Sequence, residues 1–224
     1  MIRLGKFLAA CGVGARRKAD ELIAAGAVAV DGVTARLGMQ IDPSAQRVTV
    51  RGRRVMPPPD EHVTLVLNKP KGVVTTMSDE RGRKAVAALL PKGRRVFPVG
   101  RLDAQTSGVL LCTSDGELAR ILMHPSFGVE KRYRVRAEGS DGPVAFEITL
   151  REGKNRQIRR MCAQRGLRVL ALTRVSFGPI ELRSLKEGAT RPLTSSEKSA
   201  LERIRDSALK GRLRHEQKQK PPWM

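Results

Sequence analysis

The chain has 224 residues, enough for one medium and one small domain, and carries 43 Lys and Arg against 22 Asp and Glu, a net +21. A charge of that size repels itself in a compact state and points to a polyanionic partner, nucleic acid before a bare solvated surface. No apolar run approaches the roughly 20 residues needed to cross a bilayer, which argues against a membrane span.

Residues 3–11 place Leu4, Phe7, Leu8 and Cys11 at helical spacing, so the N-terminus reads as folded structure and not as a signal peptide. Gly12-Val13-Gly14 breaks this helix. A second one is expected from about Ala15 to Ala25, with Ala19, Leu22 and Ile23 inward and Gly26 at the C-cap position. Asp31-Gly32 between short apolar stretches predicts a hairpin, with more strand reaching Val48 and Val50. Arg3, Lys6, Arg16, Arg17 and Lys18 fall on and around the two helices, a cluster suited to phosphate contacts. The run LGKFLAACGVGARRKADELIAAGAVAVDG resembles the alpha-L RNA-binding domain of a small-subunit ribosomal protein and several RNA-modifying enzymes. Where that family usually has Ser, this chain has Ala15; a lost N-cap of this kind costs about 1 kcal/mol.

Residues 1–55 thus form the first domain. Pro57-Pro58-Pro59 makes 56–61 an extended linker, and 62–205 a second domain. In it, 63–69 reads as a buried strand, Pro70-Lys71-Gly72 as a turn and 73–76 as renewed strand. A short helix over 84–90 is followed by strands at 96–102 and 109–113, and by a helix over 117–123 opened by Asp115-Gly116. Strands at 133–137 and 145–150, a helix at 156–165 and a strand at 169–177 complete the domain. From Asp206 the tail is polar and charged and is expected to be disordered through 224. The fold class is α+β with a mixed, mainly antiparallel sheet.

Cys11, Cys112 and Cys162 are odd in number and widely spaced, as are His62, His124 and His215. No pair has metal-ligand spacing, which argues for free thiols in a reducing cytosol and against zinc deaminase chemistry. The informative stretch is Gly100–Gly108, GRLDAQTSG, a polar loop between two apolar strands. Loops on such rigid supports hold catalytic groups, and Arg101 beside Asp103 would keep a carboxylate ionised. On spacing alone an Asp in such a loop is normally a turn residue or cap.

GRLDAQTSGVLLCTSDG resembles the signature loop of pseudouridine synthases. LNKPKGVVTT, EKRYRV and LREGKNRQIRRM are similar to three further motifs of the branch that includes small-subunit synthase A and large-subunit synthases B and F, in the same order. The resemblance implies Asp103 as catalytic aspartate and Tyr133 as the tyrosine that packs on the target base and accepts a proton. It implies Arg159 as the cation paired with the aspartate, and RNA contacts from Arg101, Lys154, Asn155 and Arg156. It further implies uridine isomerisation in ribosomal RNA without metal or cofactor, because the product is an isomer. The expected partner is ribosomal RNA, the run being closer to the large-subunit branch, or a pre-ribosomal particle; the chain is expected to be a cytoplasmic monomer.

One departure stands out. The family places roughly forty residues, on the order of a helix plus a strand or two, between the tyrosine strand and the third motif. Here Tyr133–Gly139 runs through Ser140-Asp141-Gly142-Pro143 straight into 145–150. A domain shortened near 139–145 leaves a second reading, a non-catalytic rRNA-binding or ribosome assembly protein with a degraded synthase fold. An Asp141-Gly142 turn would let the flanking strands pair directly and keep Asp103 next to Arg159.

Overall fold

The structure, a computed structural model, describes residues 1–56, 62–93 and 95–218, with side chains through 210. It divides into two compact units, Met1–Glu61 and His62–Met224. Of the proline-rich linker, residues 57–61 lie outside the described residues.

The first unit contains β1 (Ile2–Arg3), α1 (Leu4–Ala10), α2 (Arg16–Ala24), β2 (Val28–Val30), β3 (Val33–Thr34), β4 (Gln40–Ile41), β5 (Val48–Val50) and β6 (Arg53–Arg54). Leu4, Phe7 and Leu8 of α1 and Ala19 and Ile23 of α2 meet Val28, Val30, Ile41 and Val48 in one core. The Asp31-Gly32 turn takes positive φ at both residues (50° and 84°), and Val30 pairs with Val33 across it. That geometry matches the right-handed twist of paired strands. Ala15 precedes α2 without a side-chain cap, as its identity requires.

The second unit is built on β7 (Thr64–Lys69), β8 (Phe97–Pro98), β9 (Ser107–Thr113), α3 (Gly116–Met123), β10 (Lys131–Gly139), β11 (Gly142–Leu150), α4 (Gln157–Ala163), β12 (Arg168–Phe177), β13 (Ile180–Glu181), β14 (Thr190–Pro192) and α5 (Ser195–Lys218). The sheet runs β11-β10-β12-β9-β7-β14, with β13 on β12 and β8 on β9. Every pairing is antiparallel except β12 with β9. Alternation puts Leu65, Leu67, Leu110 and Cys112 in one core and Val66, Val109 and Leu111 in another, so both faces of the centre are covered.

β10 and β11 pair over their full length, with Gly139 opposite Gly142. The turn residues are Ser140 and Asp141, one step earlier than Asp141-Gly142. Gly142, at φ +100°, opens β11 in a conformation that other residues enter only with strain. The strand expected at 73–76 is reduced to a bridge between Val74 and Ala85, the helix at 84–90 to a 3₁₀ turn at Val86–Leu89, and the strand at 96–102 to β8.

The tail expected to be disordered from Asp206 is instead helical through Lys218; residues 219–224 lie outside the described residues. Leu201, Ile204 and Ala208 recur at helical spacing, and the first two join the α3-side core, while Leu209 is exposed. Thr194 and Glu197 cap the helix reciprocally, Glu197 N–H donating to Thr194 Oγ1 (3.2 Å) and Thr194 N–H to Glu197 Oε2 (2.9 Å). Arg191 clasps the same buried carboxylate with two bonds of 2.7 Å. Farther along, Arg205 pairs with Asp115, whose other oxygen caps α3 through Glu117 and Leu118 N–H.

Candidate active site

Asp103 sits half-buried in the loop that feeds β9. Three tethers hold that loop. Leu102 N–H donates to Thr75 Oγ1 (3.2 Å) and Thr75 Oγ1 donates to Leu102 O (2.7 Å). Gly72 N–H donates to Ala104 O (2.7 Å), and Arg159 Nη2 to Gln105 O (2.9 Å). A turn within the loop is closed by Thr106 N–H to Asp103 O (3.0 Å).

The strand register adds a row of polar groups. Lys69 on β7 lies opposite Gly108 on β9, Gly108 opposite Arg174 on β12, and Arg174 opposite Tyr133 on β10. The row crosses four strands beside the entry of the Asp103 loop, with a register shift between Arg132 and Tyr133 where β10 meets β12. Tyr133 is 8% exposed and packs in the core with Val135, Ala137 and Ile158. Lys69 is fully buried and donates to the carbonyls of Pro70 (2.8 Å) and Val73 (2.7 Å). Burial pushes its ammonium down to about 8; the negative charges of Asp103 and Glu187 oppose the fall, while Arg174 adds to it. Arg174, 2% exposed, donates from Nε to Val109 O (2.7 Å) and lies 4.8 Å over the Phe177 ring, which Lys131 approaches at 5.2 Å. Its Nη2 is buried without a hydrogen-bond partner.

Arg159 projects from α4, whose N-cap residue Arg156 takes a left-handed φ of 48°. The expected ion pair with Asp103 is not made within 4 Å among the described residues. The guanidinium instead binds the Gln105 carbonyl, and its Nε is buried without a partner. A planar fork that reaches the loop backbone two residues beyond the carboxylate is directed by the carbonyl and not by the charge. Burial, then Arg156, lower the pKa of Arg159, while Asp103 and Cys162 oppose that shift. The two groups therefore feel each other across a gap.

Arg101, Lys154, Asn155 and Arg156 are exposed; Lys154 pairs with Glu152 at 3.1 Å. In the first unit Arg3, Lys6, Arg16, Arg17 and Lys18 are all exposed, Lys18 pairing with Glu21 at 3.0 Å. Reading the sequence by residue type misses Lys69, Thr75 and Arg174. The available signal is position: Lys69 ends an apolar strand with no polar alternation, so the strand that buries its neighbours buries it too. Among the described residues no cluster of His, Cys, Asp and Glu is arranged to hold a metal ion.

With this geometry in view, the comparisons with known proteins agree along the chain. The S4 domain model matches residues 2–55, and the RNA pseudouridylate synthase model matches 63–144, stopping inside β11. An uncharacterized RNA pseudouridine synthase of Mycobacterium tuberculosis is 39% identical, with 88% of this chain and 91% of the relative covered. Ribosomal large subunit pseudouridine synthase B of Bacillus subtilis is 36% identical, with 92% and 98% covered. A crystal structure of a pseudouridylate synthase superposes with TM-score 0.62 at 26% identity, covering 90% of this chain and all of the other. The mycobacterial alignment spans 232 positions yet takes up 88% of the 224 residues here, about 197, leaving about 35 positions without a residue in this chain. The chain therefore belongs to the RNA pseudouridine synthase family, in a short form that joins an S4 domain to the synthase fold.

Proposed function

We propose that this chain isomerises uridine to pseudouridine in large-subunit ribosomal RNA, with Asp103 as the group that attacks the ribose or takes a proton from it. The observation that supports the reading is that Arg159 on α4 reaches the tethered Asp103 loop at Gln105, and that the strand register carrying Tyr133 leads through Arg174 to Gly108 beside that loop's entry into β9. The bond from ribose C1′ to N1 breaks, the uracil turns, and C5 bonds to C1′. The C5 proton then leaves, with Tyr133 as its acceptor, and N1, freed from the sugar, takes up a proton in exchange. Atoms balance within the substrate, so no cofactor or metal is required. The target base must leave its stack, and Tyr133 offers the ring on which it rests. The chain is read as a cytoplasmic monomer acting on free RNA or a pre-ribosomal particle.

The non-catalytic alternative draws its support from the shortened domain. Full pairing of β10 with β11 weakens it, because the strand that carries Tyr133 keeps a partner on both sides. The test is tritium release from large-subunit RNA labelled at uridine C5, in transcripts and in pre-ribosomal particles. Release in proportion to pseudouridine formed at a mapped position is expected. No release from large- or small-subunit RNA in either form would leave the assembly-factor reading.

RNA affinity is assigned to phosphate pairing by the first unit. Replacing Arg16, Arg17 and Lys18 by Ala is expected to weaken binding to unrelated RNAs alike. The log–log salt slope should shrink by about 0.7 to 0.9 for each phosphate no longer neutralised. An unchanged slope with altered sequence preference would mean that these residues read bases.

A further inference from the structure

Asp103 has neighbours fixed on both sides but, among the described residues, no hydrogen bond or ion pair on its own carboxylate. The aim of that carboxylate is therefore set by the backbone on either side of it. Leu102 is held at both its N–H and its carbonyl by one hydroxyl, Thr75 Oγ1. Ala104 is held at its carbonyl by Gly72 N–H. Both tethers come from one segment, 70–76, which is itself braced. Lys69 closes its turn through the carbonyls of Pro70 and Val73, and Val74 accepts from Val86 N–H (3.0 Å) and donates to Lys84 O (2.9 Å).

We propose that Thr75 is a positioning residue for Asp103, acting through Leu102, an inference that rests on the catalytic assignment of Asp103 above. A hydroxyl suits the place because it both donates and accepts; a side chain that only donates or only accepts would leave one Leu102 group unpaired. Thr75 is 8% exposed, so water does not readily substitute for it. Holding N–H and C=O of the preceding residue fixes the peptide plane that enters Asp103, and the Gly72 bond fixes the plane that leaves the next residue. A displacement of about 1 Å at a reacting group can cost about a hundredfold in rate.

The test compares Thr75→Val, which keeps shape and removes the hydroxyl, with Thr75→Ser, which keeps the hydroxyl. With saturating labelled RNA, Thr75→Val is expected to lower kcat by about thirty- to a hundredfold with KM within about twofold. Thr75→Ser should stay within about threefold of the parent. A purely structural role would lower the unfolding temperature and the folded fraction in both variants without this split. Amide exchange at Leu102 to Thr106 gives a second readout that needs no activity: faster in Thr75→Val, unchanged in Thr75→Ser. If Thr75→Val does not fold, Thr75→Ala is read in the same way. An active parent with Thr75→Val turning over within threefold of it overturns the proposal and leaves the function intact. A parent that releases no tritium overturns the function instead, and the exchange contrast then decides whether Thr75 holds the loop.

Discussion

Asp103→Asn is expected to reduce single-turnover pseudouridine formation by about a thousandfold or more, with RNA affinity within about twofold of the parent. Asparagine keeps the size and planarity of the side chain but neither attacks a sugar carbon nor takes up a proton at neutral pH. The fold should not notice the exchange, because the carboxylate makes no ion pair among the described residues and the loop is held through Leu102, Ala104 and Gln105 backbone atoms. The substitution has a second, independent signature. Asp103 is one of the negative charges that keep the buried Lys69 ammonium from falling below about 8. With that charge gone, the Lys69 pKa should drop further, which NMR titration of the labelled lysine would read. Turnover within tenfold of the parent would remove Asp103 from the chemistry.

The second large effect is on stability. Gly108→Ala places a Cβ 2.2 Å from Arg174 O, 2.7 Å from Arg174 N and 2.9 Å from Arg174 C, in a residue at φ +105°. All three clashing atoms are backbone of the adjacent β12, so no side chain can swing aside. The only relief is to separate β9 from β12, and these strands meet through only two residue pairs, Ser107 with Thr173 and Gly108 with Arg174. Adding the left-handed strain, the expected loss is roughly 3–5 kcal/mol, a fall of roughly 10 °C in the unfolding temperature of the catalytic unit. Gly116→Ala is the control, since its Cβ meets nothing within 4 Å and its φ is ordinary for a helix start. An unchanged melting temperature for Gly108→Ala would mean that β9 and β12 do not run side by side in solution.

What can be read from the residues is largely local. The helical spacing of Leu4, Phe7 and Leu8, the Asp31-Gly32 turn and the apolar runs of β7 and β9 each declare themselves within a few positions. What cannot be read depends on partners far along the chain. Nothing near Arg174 announces that it will be enclosed, and nothing near Ser107 announces a parallel partner at Thr173. The helix after Ser195 escapes a reading by composition because average polarity hides a narrow stripe, Leu201, Ile204 and Ala208, beside which Glu197 and Arg205 make salt bridges. Charge suggests that Asp103 and Arg159 pair, but the guanidinium donates to the Gln105 carbonyl instead and leaves its Nε without a partner. The sequence names candidate residues for the site; their hydrogen bonds it does not reveal.

The strand order also dictates when the site can exist during synthesis. β10 reaches the rest of the sheet only through β12, and β12 reaches β9 across a separation of 66 residues. As the chain leaves the ribosome, β7 can pair with β9, and later β10 with β11, as two local antiparallel pieces separated by α3. Neither piece contains both Asp103 and Tyr133. Only when residues 168–177 emerge can β12 insert between them and bring the halves together. A nascent chain arrested before Arg168 would hold RNA-binding groups and all three candidate catalytic side chains yet be inert. Competence for chemistry would then arrive abruptly, with the emergence of a single strand.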